Sequence, residues 1–286
     1  MQAFCNRKSK KTFSFPNFVR LNKILFTEAK KGIILTKNPT AKGAKEMPKS
    51  LLQKIDRLLS LEETAENESE IRELVNEVFL RSDELYELTA TASEPERGRK
   101  MLSQCLRKLR TLNNNKESAL KSCDYSFVEL DKLLEGVCLC TNILLSEGDM
   151  NLFFIPEKVA VSCCPSLIVD SFMNLISNAV KFSKGKNITA SLTLGKRQCI
   201  VSVTDSAGEE DALSLIRPKS GLRSIQNTAR LHGGRLLFAS NGSSFSARMA
   251  LSADLPRGKR YHAPPFSSYL ENRFSPVHLG LCDCMD

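Results

Sequence analysis

From Pro48 onward the apolar residues Leu51, Leu52, Ile55, Leu58, Leu59 and Leu61 recur at three- and four-residue steps, the period of a helix with one buried stripe. Ile71, Leu74, Val75, Val78, Phe79, Ser82, Leu85 and Leu88 continue the stripe, with acids and arginines between them. After a turn at Ser93-Glu94-Pro95 a further stripe follows: Met101, Cys105, Leu106, Leu109 and Leu112. Pro95 stands where a first-turn proline is tolerated. The pattern predicts an antiparallel helical hairpin over residues 48–123. Its apolar face exceeds what two helices can hide, so a homodimer forming a four-helix bundle is expected. The alternative is that the hairpin packs on the chain's own C-terminal domain.

From Asp124 the texture is mixed. A helix is expected from about Phe127 to Leu145, then strands Leu152–Ile155 and Val159–Cys163, then a helix from Pro165 to Phe182. Ile188, Ala190, Leu192 and Leu194 alternate with Thr189, Ser191 and Thr193, the signature of a half-buried strand. Val201, Val203 and Asp205 share one face of the next strand. Helix Gly221–Leu231 and strands Arg235–Ala239 and Phe245–Leu251 complete an α/β sandwich over residues 124–256, with helices on one face of a largely antiparallel sheet. The fold class is α+β. Residues 257–286 contain Pro264, Pro265 and Pro276 and no period, and read as an irregular tail.

Charge adds a third region. Residues 1–45 hold 11 Lys/Arg and one acid, whereas the remaining residues carry a net charge of −1. Residues 1–47 are therefore a basic arm without sustained periodicity, and the folded part lacks the basic excess of a nucleic-acid surface. Apolar residues make up 42% of the 286 residues, enough for a real core. No apolar run is long enough to span a membrane, and no secretory leader is recognisable. The ten cysteines are scattered, several of them in apolar runs, which points to buried thiols and a cytoplasmic location.

The chemistry concentrates in Asn174-Leu175-Ile176-Ser177-Asn178-Ala179-Val180-Lys181-Phe182-Ser183. At about 100° per residue, Asn174, Asn178 and Lys181 fall within about 60° of one another. Amide oxygens suit a hard cation such as Mg²⁺, and an ammonium suits phosphate oxygens. An ordinary polar helix face is the competing interpretation.

This block resembles the N-box of sensor histidine kinases and other Bergerat-fold ATPases, which reads roughly Asn-Leu-x-x-Asn-Ala-x-Lys-[Phe/Tyr]-[Ser/Thr]. The segment Phe127 to Cys164 resembles the helix and two strands that open the kinase ATPase domain. Gly221-Leu222-Arg223-Ser224-Ile225, with Leu231-His232-Gly233-Gly234-Arg235-Leu236 after it, is similar to the second glycine box and its helix-to-strand turn. Gly242-Ser243-Ser244-Phe245 resembles the Gly-Thr-x-Phe element. The resemblance spans about residues 124–256, and the hairpin stands where the dimerisation and phosphotransfer domain would be. It implies ATP with Mg²⁺ as cofactor, Asn178 as the metal ligand with Asn174 beside it, and Lys181 on the phosphates. Asp205 would accept from the adenine amino group, Gly221 would let a helix start approach the phosphates, and Ser243 would stand near adenine. Implied partners are a second copy of the chain and a response-regulator-like or other signalling protein.

The departures from that pattern imply a degenerate site. Where the family has Asp-x-Gly-x-Gly, the chain has Asp205-Ser206-Ala207-Gly208-Glu209, and Glu209, Glu210 and Asp211 put three acids close to where triphosphate would lie. The segment between Asp205 and Gly221 is short and lacks phenylalanine, and Lys219 replaces a glycine. The chain has three histidines, His232, His262 and His278, none of them in the hairpin. Autophosphorylation there is excluded, no catalytic residue is assigned, and His232 reads as structural. The expectation is a kinase-like signalling protein acting through dimerisation and partner contacts. The alternative is an active ATP-dependent kinase that phosphorylates a partner in trans. A soft-metal site at His278, Cys282 and Cys284 would fall below the ligand count of a closed site.

Overall fold

The computed structural model describes residues 49–61, 67, 69–71, 73–74, 103–108, 110, 124–146, 150–183, 187–206, 220–241, 243–255, 258–272, 275–282 and 284. The basic arm, most of the second and third helical stripes, and residues 207–219 lie outside them.

Helix α1 spans Lys49–Ser60. It stops there because the chain turns: the Leu61 amide still reaches the Arg57 carbonyl, and residue 67 is already a turn. A second helical stretch covers residues 69–71, where Glu70 pairs with Arg57 of α1 at 2.8 Å. A third covers residues 103–108, and its Lys108 ammonium binds the Leu58 and Leu61 carbonyls at 2.5 and 2.7 Å. A cation there satisfies carbonyls that the end of α1 leaves open. Ile55, Leu58, Leu61, Ile71, Cys105 and Leu106 are all buried.

The rest alternates strands and helices: β1 (Ser126–Glu129), α2 (Leu130–Ser146), β2 (Asn151–Pro156), β3 (Ala160–Cys163), α3 (Pro165–Phe182), β4 (Asn187–Leu194), β5 (Gln198–Asp205), α4 (Ser220–Leu231), β6 (Arg235–Ser240) and β7 (Phe245–Ser252). A five-stranded sheet runs in the order β2-β4-β5-β7-β6; its β2–β4 pair is parallel and its other pairs antiparallel. Leu152, Ile188, Ala190, Leu192, Val201, Val203, Met249 and Leu251 belong to one core with Ile168, Phe172, Leu175 and Ile176 of α3 and Leu222 and Ile225 of α4. The opposite sheet face is mixed, with exposed Phe153, Ile155 and Leu237 beside Ser191 and Ser202, whose hydroxyls are 2.6 Å apart. The α+β sandwich is as the alternation predicts. Among the described residues no helix is long and apolar enough to cross a membrane.

Three expectations are corrected. The segment Ser126–Glu129 is a strand rather than the start of a helix, because it pairs antiparallel with β3 and parallel with β8 (Lys259–Tyr261). Beyond β8, the region read as an irregular tail forms α5 (Phe266–Glu271) and α6 (Pro276–Leu281), with Tyr269, Val277 and Leu281 in the main core. Its prolines begin helices: Pro265 is the N-cap of α5, and Pro276 opens α6, where a missing amide costs nothing. Lastly, the cysteines are not uniformly free, since Cys164 is disulfide-bonded. Cys138, Cys140, Cys163 and Cys199 are buried thiols. Desolvation pushes Cys140 up to about 11 and Cys163 and Cys199 up to about 12, which keeps them protonated and unreactive.

Candidate functional site

Helix α3 begins at a proline and ends where the Ser183 amide closes on the Ala179 carbonyl at 2.8 Å. Its apolar residues face the sheet, which turns the carboxamides toward the end of β5. Ser183 and Ser206 hydroxyls, 3.1 Å apart, tie that end of α3 to the residue after Asp205. Asp205 is 6% exposed and stands opposite Phe245 in the β5–β7 register.

Asn178 and Asp205 line one hollow, together with Leu175, Ala179, Val203, Leu222, Phe238, Phe245 and Ala247. Asn174 lies one turn back on α3. The start of α4 comes up to it, so that a Cβ on Gly221 would stand 3.8 Å from the Asn174 Oδ1. That is ordinary contact, and Gly221 does not have a positive φ; nothing here requires glycine. Lys181 is exposed in the last turn of α3 and does not line the hollow.

Ser243 is not brought to the hollow. It sits exposed in the β6–β7 turn, where its amide and hydroxyl both donate to the Asn241 Oδ1 at 3.2 Å. The Ser244 amide and hydroxyl donate to the same oxygen at 2.8 and 2.9 Å. This is an Asx-type turn that uses the serines for backbone geometry. Ala207, Gly208, Glu209, Glu210, Asp211 and Lys219, which carry the departures from the kinase pattern, lie outside the described residues.

Sequence reasoning missed the apolar wall. Phe238 and Phe245 stack with ring centroids 5.7 Å apart and planes at 23°, and Leu222 completes the wall with them. The alternation along β6 puts Leu236 and Phe238 on the core face and could have flagged Phe238. The polar ends of the hollow suit a purine nucleotide: a carboxamide and a carboxylate converge. The room does not. Its volume is about 10 Å³, close to one water molecule and far below the roughly 300 Å³ at which small-molecule pockets begin. A roomier hollow, about 390 Å³, lies elsewhere, between α2 and the β8–α5 connection. Among the described residues this hollow is smaller than a nucleotide.

At the opposite end of α3 from this site, His232 is fully buried. Its Nε2 accepts from the Cys164 amide at 2.9 Å, and its Nδ1 lies 2.7 Å from the Thr228 carbonyl. A ring that donates at Nδ1 and accepts at Nε2 is neutral, and burial lowers its pKa below the ordinary histidine value. Tyr125 packs on it at 5.3 Å and donates to the Leu231 carbonyl at 2.7 Å. In the tail, the His278 Nε2 lies 3.1 Å from the Leu270 carbonyl, and Cys284 meets Ser177. Among the described residues no group of three or more His, Cys, Asp or Glu could hold a metal ion.

No family model and no curated protein matches the chain. Solved structures similar to it include the histidine kinase AdeS of Acinetobacter baumannii, at 17% identity and a TM-score of 0.47 over 84% of this chain and 98% of that one. The ATP-binding domain of PrrB from Mycobacterium tuberculosis is similar at 19% identity and a TM-score of 0.40, over 46% of this chain and 99% of that one. Full-length ShkA in complex with AMPPNP is similar at 15% identity and a TM-score of 0.46, over 82% of this chain and 47% of that one. At TM-scores below 0.5 these likenesses add no weight to a functional reading.

Proposed function

We propose that the chain is a sensor-histidine-kinase-like signalling protein whose ATPase-type domain is degenerate. It acts through homodimerisation of its helical region and through contacts with a response-regulator-like or other signalling partner. One observation carries the reading: Asn178 and Asp205, the residues the kinase pattern would use, face a hollow of about 10 Å³ walled by Leu222, Phe238 and Phe245. So small a hollow beside those two polar groups supports a degenerate site. The absence of histidine from residues 48–123 supports the same conclusion, because no imidazole there can accept a phosphoryl group.

The second reading, an active ATP-dependent kinase working on a partner in trans, draws on Asn178 lining the hollow with Asp205 and on Asn174 one turn back along α3. Calorimetry with a non-hydrolysable ATP analogue and Mg²⁺, on the full chain and on Asn178→Ala, separates the two. We expect no binding below about millimolar concentration, the floor of useful affinity on the scale of ~4 kcal/mol. Micromolar binding that Asn178→Ala abolishes would establish the kinase reading instead.

A further inference from the structure

Two exposed apolar side chains, Leu139 of α2 and Phe266 of α5, border the hollow of about 390 Å³ between α2 and the β8–α5 connection, with Pro264 and Pro265 beside them. Leu139 is 49% exposed and Phe266 43%, and Ile143, 45% exposed, continues the apolar strip one turn along α2. Hollows of roughly 300–1,000 Å³ hold small molecules, so this one has room for a large side chain. An apolar rim of this kind marks a surface that meets something.

Gly136 forms part of the lining. Glycine inside a helix is less stable than alanine, and among the described residues neither backbone nor packing calls for it. Its φ is not positive. An added Cβ would meet Phe266, the Pro264 carbonyl and Tyr269 at 3.9 Å, which is ordinary contact. What the missing side chain leaves is space in the hollow.

The hollow lies at the C-terminal end of a sheet edge. In the three-stranded order β3-β1-β8, β8 has β1 on one side and, among the described residues, no strand on the other. Such an edge presents main-chain N–H and C=O groups to a further strand. Lys259 and Arg260 are exposed on it, with Lys132 and His262 at the hollow. Glu129 is shared by Lys132 and Arg260, each at 2.6 Å, so its charge is already answered; Glu135 is the other acid of the lining. Lys132, Lys259 and Arg260 thus outnumber the acids and favour an acidic visitor. They also oppose pairing of this edge with the same edge of a second copy, which would set like charges face to face.

We propose that β8 and the hollow together dock an extended, acidic segment of a partner protein. Its main chain continues the three-stranded sheet beyond β8, and one large apolar side chain enters the hollow between Leu139 and Phe266. The inference gives a surface to the partner contacts proposed above and rests on that reading, but not on dimerisation or nucleotide binding.

The probe is the peptide acetyl-Asp-Val-Phe-Val-Asp-amide, titrated into the isotopically labelled full chain while backbone amide shifts are followed. Shifts should centre on residues 135–139 and 259–266 and saturate below about 1 mM. Replacing the probe's phenylalanine by alanine, replacing its acids by lysines, or methylating its alternate main-chain nitrogens should each weaken binding about tenfold. In the chain, Gly136→Leu should fill the hollow and weaken binding by a similar factor. Phe266→Ser, at an exposed position, asks the same question should the bulkier change disturb α2. Gly136→Ala should raise the melting temperature, because the added Cβ fits; a lowered one would show that the fold demands glycine and would overturn the hollow as a built site. Shifts centred elsewhere, absence of saturation, equal affinity for the basic probe, or unchanged binding by Phe266→Ser each overturn the docking surface. Because the probe is a defined peptide, any of these results leaves partner contacts through other faces standing.

Discussion

At the residue scale, His232 is the group whose chemistry is most tightly fixed. Its neutral ring accepts the Cys164 amide and lies against the Thr228 carbonyl, joining the start of α3 to the end of α4. Protonation would remove the acceptor and place a charge in the core. Burial lowers the folded-state pKa, so below the ordinary value of about 6.5 the unfolded chain binds a proton that the folded chain refuses. The stability that His232 contributes is therefore complete above about pH 6.5 and is lost as pH falls toward the lowered folded-state value. Within that window, urea midpoints should drop with a slope approaching 1.4 kcal/mol per pH unit for this one proton. His232→Gln should remove the slope while costing about 1–3 kcal/mol at neutral pH, since it strands buried hydrogen-bonding groups. A variant that keeps the same acid slope would show that the slope belongs to another group. The role of His232 was legible because it sits in a turn where Gly233 takes φ +67° and Gly234 lies against Ala250, with no room for a Cβ. The place of Ser243 in the β6–β7 turn was not legible. A serine beside an asparagine in a tight turn can face a ligand or serve its own backbone, and only the Asn241 acceptor decides which.

At the element scale, what was legible tracked the strength of the period. Helix α3 announced itself through a first-turn proline and an apolar face, and β4 through strict alternation. The elements that went unread are too short to show a period: β8 has 3 residues, α5 and α6 have 6 each. Their existence depends on contacts with sequence-distant elements. Ser126 to Glu129 could not be recognised as strand without the β8 partner, which lies about 130 residues further along the chain. The consequence is testable by deleting residues 259–286. This would uncover the faces of α2 and α3 that cover Tyr269, Val277 and Leu281 and would strip β1 of its parallel neighbour. Three core-sized side chains at roughly 1.5–3 kcal/mol each approach the whole stability of an ordinary domain. The truncated chain should therefore lack a cooperative thermal transition. A truncated form that melts cooperatively within a few degrees of the full chain would mean the tail merely decorates the fold.

At the scale of the whole molecule, charge and apolar surface are segregated along the chain in a way that assigns work to different regions. The positive excess lies in residues 1–45, and residues 46–286 carry a net charge of −1. Affinity for a polyanion scales with the cations that can reach its phosphates and falls with salt as their counterions are released. Any nucleic-acid binding by this protein should therefore belong to the arm. Filter binding to random duplex DNA at about 50 mM salt should disappear when residues 1–45 are deleted, and in the full chain it should fall at least tenfold by about 200 mM. Residual salt-sensitive binding by the shortened chain would relocate the site to a folded face, with the arginines of α4 and β6, Arg223, Arg230 and Arg235, as the first candidates, since all three are exposed. Loss of binding together with an unchanged sedimentation pattern would separate the arm's work from that of the helical region.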